Sequence, residues 1–275
     1  MDALIHYFST IPSSHRALIL AGGIAAFWLW ESAAPLFRFS YAKWSHALVN
    51  FFFTATTIVV NFALAFVLLR TSDWVVAKEV GVLFWMPSMP VVLQALIGLL
   101  ILDLIGAWLP HFVEHHVPLL WRLHLVHHSD QAVDTTTANR HHPGESVVRF
   151  VFTTLAVVAA GAPMWLVFLY QSISVVLSQF NHANIALAPW LDRVIGWVFV
   201  SPDMHKVHHH YVLPYTDTNF GNVFSCWDRL FRTYREMDRS TIVYGVDTHM
   251  APEEHRTIGA LLTMPLRKGM KRLVN

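Results

Sequence analysis

Long apolar stretches alternate with short polar ones along most of the chain, and their lengths decide what they can be. A bilayer core about 30 Å thick needs roughly 20 apolar residues at a helical rise of about 1.5 Å. Residues 17–36 (ALILAGGIAAFWLWESAAPL) meet that length with one charge, Glu31, near the end, and residues 47–69 meet it with none. Residues 91–109 form a third stretch, apolar except for Gln94 and Asp103, that runs straight into the first histidines. Between the second and third, VGVLFWMPSMP holds two prolines and is too short to cross, so an interfacial or re-entrant piece is expected. Residues 147–180 are apolar but broken by GAP at 161–163, because proline forfeits a backbone donor and clashes with the preceding turn. Each half is short for a full span, and the pattern predicts a helical hairpin dipping into the membrane, or two tilted helices. Residues 190–200 (WLDRVIGWVFV) read as an amphipathic helix lying at the interface.

Composition agrees with the pattern. The 275 residues are 55% hydrophobic and only 13% charged, where soluble domains carry roughly 25% charged residues. A net charge of +1 gives no reason to expect a nucleic-acid partner. The N-terminus, MDALIHYFSTIPSSHR, lacks the basic region and cleavage site of a secretory signal and reads as a mature amphipathic start. The polar C-terminal part carries Arg229, Arg232, Arg235, Arg239, Arg267, Lys268, Lys271 and Arg272, which by the positive-inside rule puts this end in the cytoplasm. The expected fold is an all-α integral membrane helical bundle with a cytosolic helical cap, a single multi-pass domain over 1–275. Within it, about 1–110 form N-terminal transmembrane helices, 111–234 a histidine-rich region containing the 147–180 hairpin, and 235–275 a cytosolic tail. The loops around Arg38, Lys43, Arg70 and Lys78 leave the number of crossings open.

The chemistry lies in the histidines. There are 18, as many as Asp and Glu combined, and they cluster between 111 and 142 and between 182 and 210. The single cysteine, Cys226, excludes a disulfide framework and any Cys-type zinc or iron–sulfur site, so a metal must be held by nitrogen or oxygen. Residues three and four apart share a helix face. HFVEH thus aims His111 and His115 together, HLVHH does so for His124, His127 and His128, HKVHH repeats the geometry with His205, His208 and His209, and QFNHAN adds His182. Nine imidazoles exceed the four ligands of a tetrahedral zinc site and imply two ions. His116 and His210 sit off the shared faces; of His141 and His142 in NRHHPGE, His142 is the better candidate. Asp103, Glu114, Asp130, Glu145, Asp203 and Asp217 could orient the imidazoles. His6, His15, His46, His249 and His255 read as isolated side chains, and Trp28, Trp30, Trp74, Trp85, Trp108 and Trp190 as aromatic belts at segment ends.

Imidazole suits zinc, copper, iron and nickel alike. The setting favours iron: a polyhistidine pair beside lipid, without a hydrolytic acid/base pair, fits oxygen activation. The order of motifs resembles the fatty acid hydroxylase and sterol desaturase superfamily of membrane di-iron oxygenases. The resemblance covers about 103–234, through HFVEHHVPLLWRLHLVHHSD, NRHHPGE, FNHAN and SPDMHKVHHHYVLPYTDTNFGNVFSCWDRLFRTY. Its last run is the most specific, matching at Asp217, Asn219, Phe220, Gly221, Trp227, Asp228, Arg229, Leu230, Phe231 and Thr233. The resemblance implies iron ligands at the same nine histidines, a cytosol-facing site that a lipid chain enters from the bilayer, and an external electron donor of cytochrome b5 or ferredoxin type. Two positions depart from the family pattern: Phe112 follows the first histidine, where arginine is usual, and Pro110 lengthens the approach from Asp103.

The leading expectation is a lipid monooxygenase using two iron ions, O2 and external electrons, with zinc able to replace iron in preparations. Two rivals remain open from the sequence. One is a lipid or sterol desaturase on the same site; the other is a non-enzymatic zinc-binding or transport protein. Transporters place ionisable groups near the bilayer midplane, whereas these histidines sit at and beyond segment ends.

Overall fold

The computed structural model describes residues 1–267. Lys268, Lys271 and Arg272 lie outside the described residues. Among those described, the chain is helical without a strand; three isolated bridges, Pro35–Ile185, Phe199–Phe224 and His210–Tyr244, pin loops together.

The N-terminal part consists of α1 (Asp2–Ser9), α2 (Ser13–Ala33), α3 (Lys43–Lys78), the single turn α4 (Val82–Trp85) and α5 (Val91–Asp103). After α5 come one wide π-type turn (Leu104–Trp108), α6 (Leu109–His116) and α7 (Pro118–His128). Helices α8 (Pro143–Ala160) and α9 (Met164–His182) follow, then the short helices α10 (Pro189–Gly196), α11 (Pro202–His208), α12 (Cys226–Leu230), α13 (Pro252–His255) and α14 (Ile258–Thr263).

Among the described residues, three segments are long and apolar enough to cross a membrane: Lys43–Trp85, Val91–His116 and Pro143–Ala160. The first two contain the expected stretches 47–69 and 91–109. The stretch 17–36 is not among them. Its helix, α2, starts on Ser13, Ser14, His15 and Arg16 and carries Glu31, and these polar residues dilute its hydropathy. In the hairpin region two helices meet at the 161–163 break; α8 has the length and apolarity to cross, while α9, 19 residues long, is not among the candidate spans. Outward positions such as Leu48, Val59, Phe62 and Phe66 are exposed, as a lipid-facing surface requires.

The main core joins α3, α5, α8 and α9 through Leu68, Val75, Leu102, Ala156, Val157, Leu166 and Val167. Small residues let the backbones approach: Ser72 Oγ donates to the Ala162 carbonyl at 2.9 Å, a close tie between α3 and the α8–α9 turn. That turn is made by Gly161, whose φ of +72° caps α8 in the left-handed region. A Cβ there would lie 2.6 Å from the Val80 carbonyl oxygen.

The π-type turn has a local cause. Pro110 has no N–H for the carbonyl four residues back, and its ring crowds that position, so the helix widens before resuming as α6. The widening sets the direction in which His111 and His115 point.

Substituting Gly161 by Val forces a branched side chain into a left-handed conformation against the Val80 carbonyl. The expected cost is on the order of 2 kcal/mol, read as a lower thermal unfolding midpoint of the detergent-solubilised protein. An unchanged midpoint would contradict the close packing described for this turn.

Candidate metal centre

Four helices bring histidines to one place. His111 and His115 come from α6, and His124, His127 and His128 from α7. His182 ends α9, while His205 and His208 lie on α11 with His209 at its C-terminal cap. All nine are buried. They fall into two groups. Potential ligand atoms of His111, His115, His124, His128 and His208 lie within 4.8 Å of one another, and so do those of His127, His182, His205 and His209. The HxxHH boxes are therefore divided: His124 and His128 serve one group and His127 the other, and His208 is separated from His205 and His209 in the same way.

Ring orientation is set from outside. A backbone carbonyl can only accept, so His111 Nδ1 must donate to Phe220 O (2.8 Å), His208 Nδ1 to Thr218 O (2.6 Å) and His182 Nδ1 to Ser178 O (2.7 Å). Carboxylates hold two more: His115 Nδ1 lies 3.0 Å from Asp217 Oδ1 and His124 Nδ1 lies 2.8 Å from Glu145 Oε1. Donation from Nδ1 leaves Nε2 as a lone pair directed inward. At the centre Nε2 atoms face each other, His115 against His128 at 3.1 Å, His127 against His182 at 3.1 Å and His205 against His182 at 3.0 Å. The Nε2 atoms of His111, His124, His208 and His209 are buried with no hydrogen-bond partner. An unpaired buried acceptor costs about 1–3 kcal/mol. Several converging ones form a donor set that a cation would satisfy, so the residues fit a metal-binding site.

Burial keeps these rings neutral. It pushes His124 down to about 4 against the opposing pull of Glu145. His127, His128, His205, His208 and His209 are held well below the ordinary histidine value of 6.5, mainly by burial and further by neighbouring rings. Neutral imidazole is the ligating form.

The six acidic residues singled out in the sequence do different work. Glu145 accepts from His124 and His141 and pairs with Arg149, which also bridges to Glu114. Asp217 faces His115. Asp103 accepts from Val223 N, Phe224 N, Trp227 Nε1 and Tyr170 Oη, tying the 220s loop to α5. Asp130 holds His46 and Thr137, and Asp203 pairs with Arg239.

Several residues escaped the sequence reading. Asp228 accepts from Phe220 N, Gly221 N, Trp108 Nε1 and Thr233 Oγ1, and so shapes the loop whose carbonyls orient His111 and His208. Glu31 Oε2 accepts from Thr135 N and Asn184 N, fastening α2 to the segments beside His127 and His182. Fully buried Arg140 donates to the Val126 and His255 carbonyls behind α7. His46, read as an isolated side chain, instead lies between Asp130 and Asp134. Asp228 stood in the sequence only as part of a motif, and the others as a charge or a histidine in an apolar or histidine-rich stretch; neither signal names a partner.

The preference for His142 is corrected. Its Nδ1 accepts from Gly144 N as the cap of α8, and its Nε2 faces the Leu262 carbonyl, so capping uses the ring. His141 is the nearer: it stacks on His127 with centroids 4.9 Å apart and forms a third potential ligand set with His124 and Glu145. His116 and His210 are engaged elsewhere, with Phe112 O and Val243 N. Trp108 is buried rather than part of an exposed belt.

Comparison with known proteins adds to this geometry. The family model described as fatty acid hydroxylase matches residues 95–233. An ornithine lipid hydroxylase of Rhizobium tropici is 24% identical over 192 residues, covering 70% of this chain and 56% of that protein. An alkylglycerol monooxygenase of Caenorhabditis elegans is 27% identical over 52% of the chain and 27% of its own length. A cholesterol 25-hydroxylase-like protein of Danio rerio is 28% identical over 59% of the chain and 61% of its own length. The chain thus spans little more than half of the first relative and about a quarter of the second. No solved structure matches.

The depressed histidines give a signed pH dependence. In the unfolded chain such a ring takes a proton near its ordinary value of 6.5, while folded His124 does so only near 4. Between those values the unfolded state binds more protons, so the metal-free fold loses stability as pH falls from 6.5 and the loss levels off below about 4. The unfolding midpoint of chelator-treated protein is expected to be lower at pH 5.5 than at pH 7.5, on the order of several degrees. Equal midpoints would mean that the rings are solvated rather than buried.

Proposed function

Because the chain belongs to the fatty acid hydroxylase family, we propose that it is a membrane-embedded monooxygenase that inserts one oxygen atom from O2 into a lipid, holding two iron ions in its two histidine groups. The observation that carries this reading is the division of nine buried histidines into a set of five and a set of four, with the Nε2 atoms of His111, His124, His208 and His209 unpaired. His111, His115, His124, His128 and His208 would hold one ion, and His127, His182, His205 and His209 the other.

Iron is favoured over zinc by number: the five nitrogens gathered in one group exceed the four ligands of a structural zinc site. When bound, the iron pair supplies the oxygen activation and C–H cleavage that no side chain can perform. The chain's own residues do the rest. Phe220 O, Thr218 O, Ser178 O, Asp217 and Glu145 hold the imidazoles in the ligating tautomer. Arg149 balances the buried charge of Glu114 and Glu145. The helical packing around the groups keeps bulk water from them.

A lipid substrate is supported by position: α6 continues an apolar helix of spanning length, and exposed Val147, Val151 and Leu155 extend the apolar surface along α8. The named activities of the relatives, on an ornithine lipid and on alkylglycerols, agree with that class. The site faces the cytoplasm in this reading, on the side marked by Arg229, Arg232, Arg235 and Arg239. Electrons come from a separate carrier of cytochrome b5 or ferredoxin type, since Cys226 alone cannot build an iron–sulfur set.

The test is mass spectrometry of lipids from a host with and without expression. Hydroxylation predicts products heavier by one oxygen atom; loss of two hydrogens would make the protein a desaturase, and an unchanged lipid profile with zinc alone bound would favour the metal-binding rival. His127→Ala and His208→Ala each remove a ligand from a different group. Each is expected to lower turnover about a hundredfold or more and to leave about one iron per chain instead of two, measured by metal analysis. Full activity and full metal in both variants would overturn the ligand assignment.

A further inference from the structure

In the sequence Phe231 is part of the family pattern, Trp108 reads as a belt residue and Arg232 as one of the basic residues of the C-terminal part, yet the structure brings them together. Phe231 is 46% exposed and stacks on buried Trp108, with ring centroids 4.5 Å apart and planes 28° from parallel. Beneath them lies Phe220, which has no exposed surface. Its ring stands edge-on to Trp108 at 6.2 Å, and 5.1, 5.6 and 5.7 Å from the rings of His115, His111 and His208. A line of touching rings therefore runs from the surface to three histidines of the five-membered group, with two rings between them and the exposed one.

The tip is built to hold that contact. Arg232 has φ of +62°, a left-handed conformation that side-chain-bearing residues rarely adopt. It returns the chain so that Thr233 N reaches Asp228 O at 2.8 Å and Thr233 Oγ1 reaches Asp228 Oδ1 at 2.7 Å. The same Oδ1 accepts from Trp108 Nε1 at 3.0 Å and from Phe220 N at 2.9 Å. One buried carboxylate thus ties together the Trp108 ring, the Phe220 backbone and the turn that follows Phe231. Next to Phe231 along the chain are Leu230, 65% exposed, and exposed Arg232 and Arg235, the latter donating to the Arg232 and Tyr234 carbonyls, while Arg229 lies over the Tyr234 and Trp197 rings. Of the nearby acids, Glu236 accepts from Tyr234 Oη at 2.6 Å and Asp238 from Ser240.

We propose that this tip is the docking point of a one-electron carrier protein with an acidic face, and that Phe231, Trp108 and Phe220 form the path along which its electron reaches the five-histidine group. The inference rests on the oxygenase reading above and names the partner surface of that site. Electron tunnelling falls off less steeply through packed atoms than across gaps or water, so contiguous rings give the best-coupled way in from this face. Each encounter oxidises the carrier by one electron and reduces the metal centre by one; the rings in between are neither oxidised nor protonated. A small apolar centre with a basic rim suits the weak, charge-steered interfaces of redox partners. A bilayer contact would explain an exposed ring, but not its buried continuation to the histidines.

The experiment uses the full chain in nanodiscs with two probes, a plant-type [2Fe–2S] ferredoxin and a soluble cytochrome b5 domain, and reads carrier affinity, which does not require the metal. Arg232→Glu combined with Arg235→Glu is expected to weaken binding of the preferred carrier about tenfold or more at low salt, with reduction of the metal by dithionite unchanged. Phe231→Leu and Trp108→Leu are expected to bind the carrier as wild type does but to be reduced by it several-fold more slowly. Phe231→Leu keeps this readable should Trp108→Leu fail to fold. Failure of both carriers to bind wild type, unchanged affinity in the double variant, or unchanged reduction rates in both ring variants would each overturn the proposal. So would quenching of a label at position 231 by lipid-borne quenchers, which makes the tip a bilayer contact. If no hydroxylated lipid forms while carrier binding still depends on Arg232 and Arg235, the oxygenase reading fails and the docking surface stands.

Discussion

The structure depends on one unfavourable fact: nine imidazole rings are removed from water with their inward nitrogens facing one another. Burial costs a neutral polar group its hydration unless a partner replaces it. At the rim of each group that partner exists, as carbonyls at Phe220, Thr218 and Ser178 and carboxylates at Asp217 and Glu145. At the centre it does not, and the Nε2 atoms of His111, His124, His208 and His209 lack a hydrogen bond. A bound cation would convert that deficit into coordinate bonds, and metal binding would then contribute to folding.

Holding such a centre together requires anchors that are themselves buried charges. Asp103 and Asp228 each gather four donors and fix the 220s loop against the end of α5 and the π-type turn. Glu31 and Arg140 do the same from the other side, binding the backbone next to α7 and α9. Buried charges are tolerated where hydrogen bonds satisfy them fully, and removing one partner is expensive. The acidic residues within apolar stretches therefore serve the site from a distance rather than crossing the membrane as isolated charges.

How much of this was legible in the sequence varied with the range of the interaction. The nine histidines stood out because helical spacing of three and four places side chains on one face, a local rule. Their division into five and four did not, because it depends on how α6, α7, α9 and α11 meet, and neighbouring residues of one box join different groups. The choice between His141 and His142 failed for a related reason: capping of α8 by His142 is a local event, but it takes a folded helix start to reveal it. Stretches 47–69 and 91–109 were plain from length and apolarity. Stretch 17–36 looked equally good, but its helix runs Ser13–Ala33, leaving 34–36 outside and taking in Arg16 and Glu31. Asp228 was visible only as part of a motif, and its fourfold clamp came from the structure.

The most direct measurement of the central claim is anomalous diffraction at the iron edge from crystals of the iron-loaded protein. Two peaks per chain are predicted, one among His111, His115, His124, His128 and His208 and the other among His127, His182, His205 and His209. A single peak, or one seated at His124, His141 and Glu145 in place of these, would contradict it.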